Sequence, residues 1–474
     1  MRFKDFLFSV SVIGITVICM MNSSGCANII PPSGGPRDSL PPKLIKVVPG
    51  DSSINFSGRK ITFSFDEYID LQNVQSNLIV SPIPATSPTV DYRLNMMTVK
   101  FTDSLKANTT YTLNFGNAIK DYNEGNVLNG FTYIFSTGPA IDSLSLRGKV
   151  LLAETGKTDS TLIVILHKNS DDSAVVKNRP DYMTKLDGNG NFIFRNMPSG
   201  TYYLFALQDQ GGSRRYMDTK QLFAFAGAPV SLPIQTAPIT LSAYAEKQNS
   251  TSQPQAGIRP KAGAGDNRLK YQTSIFNGRQ DILEKFTFTF ETPLKKFDTT
   301  KIRFATDSVF TGIKNYSWEK DSARLKFWLD YLLKENTLYH LLLEKNFAED
   351  TSGRVLLKPD TLSFRTRNKN EYGSLVIHFR NLDLALNPVL QLLQGNEIKK
   401  SIPFITAEIN EPLFSPGDYS LRILYDRNKN GKWDAGEFFG KHKQPEIVIP
   451  IERTISIKAN FINEFEISAP SNAP

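Results

Sequence analysis

A strict alternation of apolar and polar residues constrains this chain more than any other feature. Apolar side chains fill every second position in short runs such as 61–65 and 111–115. Successive side chains of a β-strand point to opposite faces, so a period of two predicts half-buried strands. Clusters of Gly, Asn, Asp and Pro separate the runs, and long amphipathic helical patterns are hard to find. The pattern predicts an all-β chain of sandwiches.

The chain also repeats itself in order. The run Lys-Ile-Thr-Phe-Ser-Phe-Asp at 60–66 matches Lys-Phe-Thr-Phe-Thr-Phe-Glu at 285–291 in residue character. Three further pairs of segments recur with the same order and spacing: 100–101 and 326–327, 108–113 and 336–341, 135–137 and 364–366. These matches indicate two copies of one domain.

A second pair of segments lies between and after these copies. Gly200-Thr201-Tyr202-Tyr203-Leu204 with Asp209 corresponds to Gly417-Asp418-Tyr419-Ser420-Leu421 with Asp426 at identical spacing. The predicted fold class is therefore all-β, with tandem Greek-key or Ig-like sandwiches in the order A-B-A-B. We name the modules by their predicted bounds: A1 (41–138), B1 (143–242), A2 (271–367) and B2 (373–468), with a linker at 243–270.

The first 25 residues have the pattern of a signal peptide. Arg2 and Lys4 precede an apolar stretch at 6–21, and small residues follow it. Ser23-Ser24-Gly25-Cys26 resembles a bacterial lipobox, although Ser23 stands where Leu is usual. The resemblance implies cleavage before Cys26, lipidation of its thiol and amine, and attachment to a membrane through a Pro/Gly-rich tether at 26–40. The alternative is a free thiol after an ordinary signal peptide.

The cysteine count agrees with this interpretation. The chain has two Cys, and Cys19 lies in the segment to be removed. The mature chain would then have no internal disulfide and would depend on burial of its core for stability.

Two families resemble the modules. A1 resembles the surface-layer type of bacterial Ig-like domain through the Phe-Asp-Glu-Tyr-Ile run at 65–69, the Asn-Thr-Thr-Tyr-Thr-Leu run at 108–113 and the Phe-Ser-Thr run at 135–137, and A2 is a looser copy. B1 resembles carboxypeptidase regulatory-like domains, which are transthyretin-like sandwiches, through 146–150, 190–194 and 198–202, and B2 keeps the second half of that pattern. With the lipobox, this combination resembles envelope lipoproteins of the Bacteroidota.

Composition and motifs predict neither a nucleic-acid partner nor an enzyme. The net charge of +8 is spread over 474 residues, and no run of five Lys or Arg occurs. The four His are far apart in sequence, and no nucleophile elbow, His-Glu-x-x-His motif or phosphate loop accompanies them. The resemblances also imply accessory modules without catalytic activity.

The best local motif is a twelve-residue loop at 426–437. Its spacing matches a calcium loop, with Gly431 at the sharp turn and candidate ligands Asp426, Asn428, Asn430, Lys432 (through its backbone carbonyl), Asp434 and Glu437. The flanks read as strands rather than EF-hand helices. We expect a structural Ca²⁺ held weakly, on the order of 10⁻⁴ to 10⁻³ M. The alternative is an Asn-Gly hairpin loop that binds no metal.

Asp-Ser/Thr pairs followed by a small or apolar residue resemble the O-glycosylation sequon of the Bacteroidota. Ser39 and Ser143, at domain edges, are the favoured sites, and the alternative is that Asp-Ser is a favoured turn pair.

The sequence therefore predicts a non-catalytic, lipid-anchored protein of the cell envelope that acts as a spacer, scaffold or adhesion module. We expect it on the outer membrane, facing the periplasm, because Ala27-Asn28-Ile29-Ile30 directly after Cys26 lack the acidic residues that usually accompany surface export of such lipoproteins. Exposure on the cell surface is the alternative. The alternative function is an accessory subunit of an outer-membrane uptake or secretion machine that binds a carbohydrate or a protein. Such a binder should show an exposed aromatic patch or a groove between modules.

Overall fold

The computed structural model describes residues 37–209, 211–246, 268–307 and 309–470. The chain divides into two compact units, the first ending at Ile141 and the second beginning at Asp142. Both are built almost entirely of β-strands arranged in tandem sandwiches, which confirms the predicted fold class. Over these ranges, no helix has the length and apolar character needed to cross a membrane.

Module A1 makes up the first unit. Its strands form the sheets β1-β2-β6-β5 and β4-β7-β9 and the two-stranded ladder β3-β8. Their bounds, with a one-turn helix α1 at Val74–Asn77, are β1 (Leu44–Val48), β2 (Lys60–Phe65), β3 (Ile69–Leu71), β4 (Ile79–Ser81), β5 (Thr89–Arg93), β6 (Met96–Lys100), β7 (Thr110–Asn114), β8 (Ile119–Asp121) and β9 (Thr132–Ser136). In β2 the residues that alternate in sequence, Ile61, Phe63 and Phe65, are fully buried.

Module B1 opens the second unit with two facing sheets, β13-β10-β17 and β12-β11-β14-β15, and β16 pairs with β14. Strand β17 runs parallel to β10. A Cβ at Gly148 would come within 2.1 Å of the carbonyl oxygen of Ile239, so this close strand pairing requires glycine. The strands, with helix α2 at Ala174–Lys177, are β10 (Leu144–Leu152), β11 (Leu162–His167), β12 (Tyr182–Lys185), β13 (Asn191–Met197), β14 (Gly200–Gln208), β15 (Phe223–Phe225), β16 (Val230–Leu232) and β17 (Ile239–Ala243).

Module A2 repeats the A topology in the sheets β18-β20-β24-β23 and β19-β27-β25-β22 and the ladder β21-β26. Its bounds are β18 (Tyr271–Thr273), β19 (Arg279–Gln280), β20 (Thr287–Phe290), β21 (Leu294–Phe297), β22 (Ile302–Ala305), β23 (Ser317–Lys320), β24 (Lys326–Asp330), β25 (Leu338–Leu343), β26 (Ala348–Asp350) and β27 (Asp360–Thr366). Single 3₁₀ turns lie at Thr299–Lys301 and, just after the module, at Lys369–Glu371.

Module B2 repeats the B topology in the sheets β31-β28-β34 and β30-β29-β32-β33, again with its last strand parallel to its first. A 3₁₀ turn lies at Leu384–Leu386, and the strands are β28 (Gly373–Arg380), β29 (Pro388–Gln394), β30 (Glu397–Pro403), β31 (Glu408–Phe414), β32 (Gly417–Tyr425), β33 (Ile447–Ile457) and β34 (Ile462–Ser468).

The repeats extend to individual hydrogen bonds. In A1 the hydroxyl of Tyr111 accepts from the backbone N–H of Lys106 at 3.0 Å, and in A2 the hydroxyl of Tyr339 accepts from Lys334 at 3.0 Å. In the B modules the hydroxyl of the matching tyrosine donates to the carbonyl four residues earlier in the chain: Tyr202 to Pro198 at 2.9 Å and Tyr419 to Ser415 at 3.0 Å. The recurring tyrosine in each motif therefore fixes the same turn in both copies.

Candidate functional site

The predicted calcium loop begins where β32 ends. Asp426 is 2% exposed, and its backbone N–H donates to the carbonyl of Asn387 at 3.1 Å. Its carboxylate accepts the N–H of Asn430 at 3.2 Å and of Gly431 at 2.6 Å, which closes the turn. Gly431 has φ 75°, a left-handed conformation that favours glycine. The first and sixth positions of the motif thus define the shape of the loop.

Four of the predicted ligand residues come together in this loop. The Oδ2 atom of Asp434 accepts from the side-chain amides of Asn428 at 2.5 Å and Asn430 at 2.8 Å, beside the turn held by Asp426. An amide turned by 180° presents its oxygen in place of its nitrogen, and oxygen is the ligand Ca²⁺ requires. Lys432 donates its backbone N–H to Oδ1 of Asn430 at 2.7 Å, and its side chain is exposed.

Glu437 lies outside this group. Its backbone forms a two-way bridge with Lys443, and its carboxylate pairs with the ammonium of Lys441 at 2.8 Å. It therefore belongs to the base of a small hairpin at 437–443 rather than to the loop interior.

The carboxylate that does face the loop is Glu446, which the sequence analysis did not select. It is 2% exposed and accepts the N–H groups of Arg427 at 2.8 Å and Asp434 at 3.1 Å. Burial raises the pKa of Glu446, and the neighbouring charges of Asp426 and Asp434 raise it further. A signal was present in sequence: Glu446 directly precedes the apolar run of β33, where an acidic residue is out of pattern.

The side chains of this loop could bind a cation only if carboxylate and amide oxygens acted together as ligands. Within the described ranges, no group of three or more His, Cys, Asp or Glu side chains has the arrangement of a metal site. A Ca²⁺ bound here would need the amide oxygens of Asn428 and Asn430 in addition to the carboxylates of Asp426 and Asp434. Calcium accepts such sets of carboxylate, amide and backbone oxygens.

The hairpin that follows the loop docks on module B1. The ring of Phe438 is buried among three phenylalanines of B1, at centroid distances of 5.6 Å from Phe205, 5.2 Å from Phe223 and 4.9 Å from Phe225. A Cβ at Gly436 would come within 2.6 Å of the ring of Tyr244, so the approach of the hairpin also depends on this glycine. Modules B1 and B2 therefore contact each other although A2 lies between them in sequence.

Hydrogen bonds reinforce this contact along its length. They join the N–H of Val448 to the carbonyl of Ala153 at 2.8 Å, the side-chain amide of Gln444 to the carbonyl of Phe225 at 3.0 Å, the guanidinium of Arg422 to the carbonyl of Glu154 at 3.1 Å and Nε2 of His442 to the carboxylate of Asp172 at 2.7 Å.

A groove of about 750 Å³ runs beside the same contact. Its walls come from β10 and β17 of B1 and from the first half of β33 and the end of B2, and they include Lys149, Leu151, Thr240, Ser242, Ile451 and Glu452.

The remaining predicted sites are distributed as follows. Cys26 lies outside the described residues. Ser39 is exposed ahead of β1, and Ser143 is exposed immediately before β10.

Comparison with known proteins identifies one module. Residues 38–137 match the family model of the bacterial Ig-like domain, which covers module A1. The predicted resemblance of A1 is confirmed at this level. A search of curated proteins gives no match.

Among solved structures, similarity is found to the N-terminal part of the bacterial S-layer protein SbsC, with 16% identity, 44% of this chain and 44% of that chain covered and a TM-score of 0.16. BcpA, the major pilin subunit of Bacillus cereus, is 9% identical over 69% of this chain and 99% of its own, with a TM-score of 0.16. An L,D-transpeptidase from Mycobacterium smegmatis is 13% identical over 43% of this chain and 90% of its own, with a TM-score of 0.15. Values this low carry no information about function.

Proposed function

We propose that this protein is a lipid-anchored, non-catalytic spacer or scaffold of the bacterial cell envelope. The observation that carries the proposal is the docking of B2 on B1. Phe438 and the hydrogen bonds beside it tie together two modules that are not neighbours in sequence. A scaffold that must hold a partner at a set place requires resistance to bending, and a buried aromatic contact between modules provides it.

The anchor is proposed from the sequence at Cys26. Acyl chains on this residue would hold the protein at a membrane, with 26–40 as the tether and without a spanning helix. Replacing Cys26→Ser should abolish incorporation of radiolabelled palmitate and move the protein from the detergent phase to the aqueous phase in Triton X-114 partition. A variant that still partitions with the detergent would overturn the anchor. The combination of modules and lipobox places the source, in this proposal, among the Bacteroidota.

The proposed location is the outer membrane, with the modules in the periplasm. Protease digestion of intact cells against lysed cells, followed with an antibody to B2, tests it. We expect cleavage only after lysis. Cleavage on intact cells would instead assign the chain to the cell surface and favour a role in adhesion.

The loop at 426–437 is proposed as a weak structural Ca²⁺ site that stiffens the base of the docked hairpin. Asp426, Asn428, Asn430 and Asp434 would hold the ion, together with the carbonyl of Lys432. In this proposal Glu446 would supply the carboxylate that the motif assigned to Glu437, because Glu446 faces the loop and Glu437 pairs with Lys441. O-glycosylation at Ser39 and Ser143 is likewise proposed, since both hydroxyl-bearing residues are exposed.

The groove between B1 and B2 favours a second candidate function, an accessory subunit that binds a carbohydrate or a protein. Its volume of about 750 Å³ is within the range of ligand-binding clefts. Soluble fractions of the envelope, passed over the immobilised full chain and over a variant with Ser242→Trp, would distinguish the two candidates. Retention that the Trp side chain prevents would establish a binder, and equal retention by both would leave the scaffold.

A further inference from the structure

Three tyrosines form an exposed platform on module A1. Strands β3 and β8 pair with Ile69 opposite Asp121 and Asp70 opposite Lys120, and the N–H of Tyr122 donates to the carbonyl of Tyr68 at 2.9 Å. Ile69 and Asp121 are buried, so the side chains that alternate with them lie on the outer face of this ladder. Tyr68 is 54% exposed and Tyr122 is 70% exposed, side by side at its end.

One carboxylate holds the third tyrosine of the platform, Tyr92. Asp70 accepts the hydroxyl of Tyr92 at 2.7 Å and pairs with the ammonium of Lys120 at 3.3 Å. The pKa of the Tyr92 phenol is raised, first by this hydrogen bond and, among smaller causes, by the neighbouring Tyr122. Tyr92 is 46% exposed, so its ring extends the surface formed by Tyr68 and Tyr122. The ring of Tyr92 is therefore fixed before any partner arrives, which lowers the entropic cost of binding to it.

The end of the platform is acidic. Asp66 and Glu67 directly precede Tyr68, and Glu124 follows Tyr122. The pKa of Glu67 is raised by partial burial and then by the charges of nearby carboxylates, those of Asp121, Asp66, Asp38 and Glu124. The cations of the same segments are Lys120, which pairs with Asp70, Arg37, which donates to the carbonyl of Glu124, and Lys43. Without the buried Asp121, five carboxylates against three cations leave a negative surface on a chain whose net charge is +8.

We propose that this outer face of β3 and β8 is a docking surface for an extended protein segment that carries Lys or Arg side chains. Arg and Lys stack on exposed tyrosine faces and pair with carboxylates at the same time, so both features of the surface serve one partner. A neutral glycan could stack on the rings but would leave the negative charge of the surrounding carboxylates unbalanced. Asp70 already accepts from Tyr92 and pairs with Lys120, so its oxygens are less available to the hydroxyl groups of a glycan. The inference does not depend on the proposed anchoring at Cys26.

The test uses the full chain and a fluorescein-labelled peptide of alternating Arg and Ser, followed by fluorescence anisotropy at low salt. The matched probes are a peptide of alternating Glu and Ser, and unlabelled cellohexaose and chitohexaose as competitors. We expect the wild type to bind the Arg peptide, with an affinity that falls as salt rises.

Substitutions separate the rings from the charges. Tyr68→Ala with Tyr122→Ala should weaken binding about tenfold, the effect of two exposed cation–π contacts. Tyr68→Phe with Tyr122→Phe keeps the rings and should keep the affinity. Glu67→Gln with Glu124→Gln should weaken binding and flatten its dependence on salt. Phe461→Ala, an exposed aromatic residue of module B2, is the matched control and should bind like the wild type.

Several outcomes would overturn the proposal. These are no binding of the Arg peptide, equal binding by the double Ala variant, displacement of the peptide by either oligosaccharide, and self-association of the chain that the same Ala substitutions abolish. All four tyrosine and glutamate positions are partly or mostly exposed, and unchanged circular dichroism and thermal melting of each variant would establish that it folds.

Discussion

The loops that join β14 to β15 in B1 and β32 to β33 in B2 start and end at matching places, yet they do different things. Leu207 pairs with Phe223 in B1 as Leu424 pairs with Val448 in B2. The B1 loop turns back on its own module, where Tyr216 packs on Phe223 at 4.5 Å, and the Tyr216 ring also receives Phe439 of the B2 hairpin at 6.0 Å. The B2 loop instead reaches out and buries Phe438 in B1. One framework thus supports both a closed loop and a connector between modules.

The same comparison separates two buried residues at one register. Gln221 and Glu446 each stand two residues before the paired position of their strand. The amide of Gln221 is neutral, and it donates to the carbonyl of Arg215 while accepting from the N–H of Met217. Glu446 accepts two N–H groups but carries a charge close to two other carboxylates. The proposed Ca²⁺ would lie near these three carboxylates of the B2 loop, and the neutral Gln221 offers no such charge in B1.

The largest expected effect comes from removing the ring of Phe438, which the B2 loop buries in B1. Phe438→Ala should destabilise the docked state of the second unit by about 3–5 kcal/mol, the usual cost of deleting a buried aromatic ring. Hydrogen exchange at the N–H of Val448, which bonds to Ala153 of B1, should speed up in proportion. Met217→Ala, at an exposed position of the B1 loop, is the comparison, and it should leave the exchange of Val448 near that of the wild type. Unchanged exchange in Phe438→Ala would show that the contact contributes little.

Calcium is expected to stabilise only the B2 loop. At 10 mM Ca²⁺ and a dissociation constant of about 10⁻³ M, the gain is about 1.4 kcal/mol, measured as a rise in the melting temperature of the full chain. Asp426→Asn keeps the shape of the side chain and should remove the response. An equal rise in this variant, or no rise in the wild type, would favour the metal-free hairpin.

Glu446→Gln makes the B2 loop resemble the B1 loop. Because the pKa of Glu446 is raised in the folded state, the folded chain holds the proton more tightly than the unfolded chain. This contribution to stability is fully present below the ordinary pKa of glutamate and is lost as pH rises through the raised value. The substitution should abolish this pH dependence. It should also cost the metal-free protein about 1 kcal/mol at pH 7, because the Gln amide can accept only one of the two N–H groups that the carboxylate accepts. Thermal melting between pH 4 and pH 8 in EDTA measures both effects, and a variant whose stability depends on pH as steeply as that of the wild type would contradict the assignment.

The smallest effect should come from the rim of the contact. His442 and Asp172 are both substantially exposed, so Asp172→Ala, which leaves the His442 ring on Phe438, should cost at most about 0.5 kcal/mol. The exchange of Val448 should change far less than in Phe438→Ala. A loss comparable with that of Phe438→Ala would show that the contact between Asp172 and His442, rather than the ring of Phe438, contributes most of the docking energy.

Periodicity made the sandwiches predictable because their strands are specified locally. The alternation at 61–65 and the tyrosine motifs belong to residues that pack against neighbouring strands and turns of the same module. The family match at 38–137 supports the same interpretation of A1.

The docking of B2 on B1 could not be predicted in this way. Phe438 lies in a stretch with no alternation, and its partners Phe205, Phe223 and Phe225 have the pattern of ordinary core residues. Glu446 was missed for a related reason. Its role depends on the register of β33 against β32, which places it beside Asp426, whereas counting along the motif selects Glu437.

The direct contact between B1 and B2 imposes an order of events on a chain made from its N-terminus. The phenylalanine face of B1 is complete long before Phe438 exists, since all of A2 must be synthesised in between. Until Phe438 has been synthesised, this face lacks the ring that covers it, and exposed apolar surface of this kind leads nascent multidomain proteins to misassemble. A chain interrupted anywhere in A2 would keep that surface permanently, so truncated products should aggregate even though the modules they retain are intact. Module B2 thus protects the phenylalanine face of B1 from other chains, and it does so only after A2 has been synthesised.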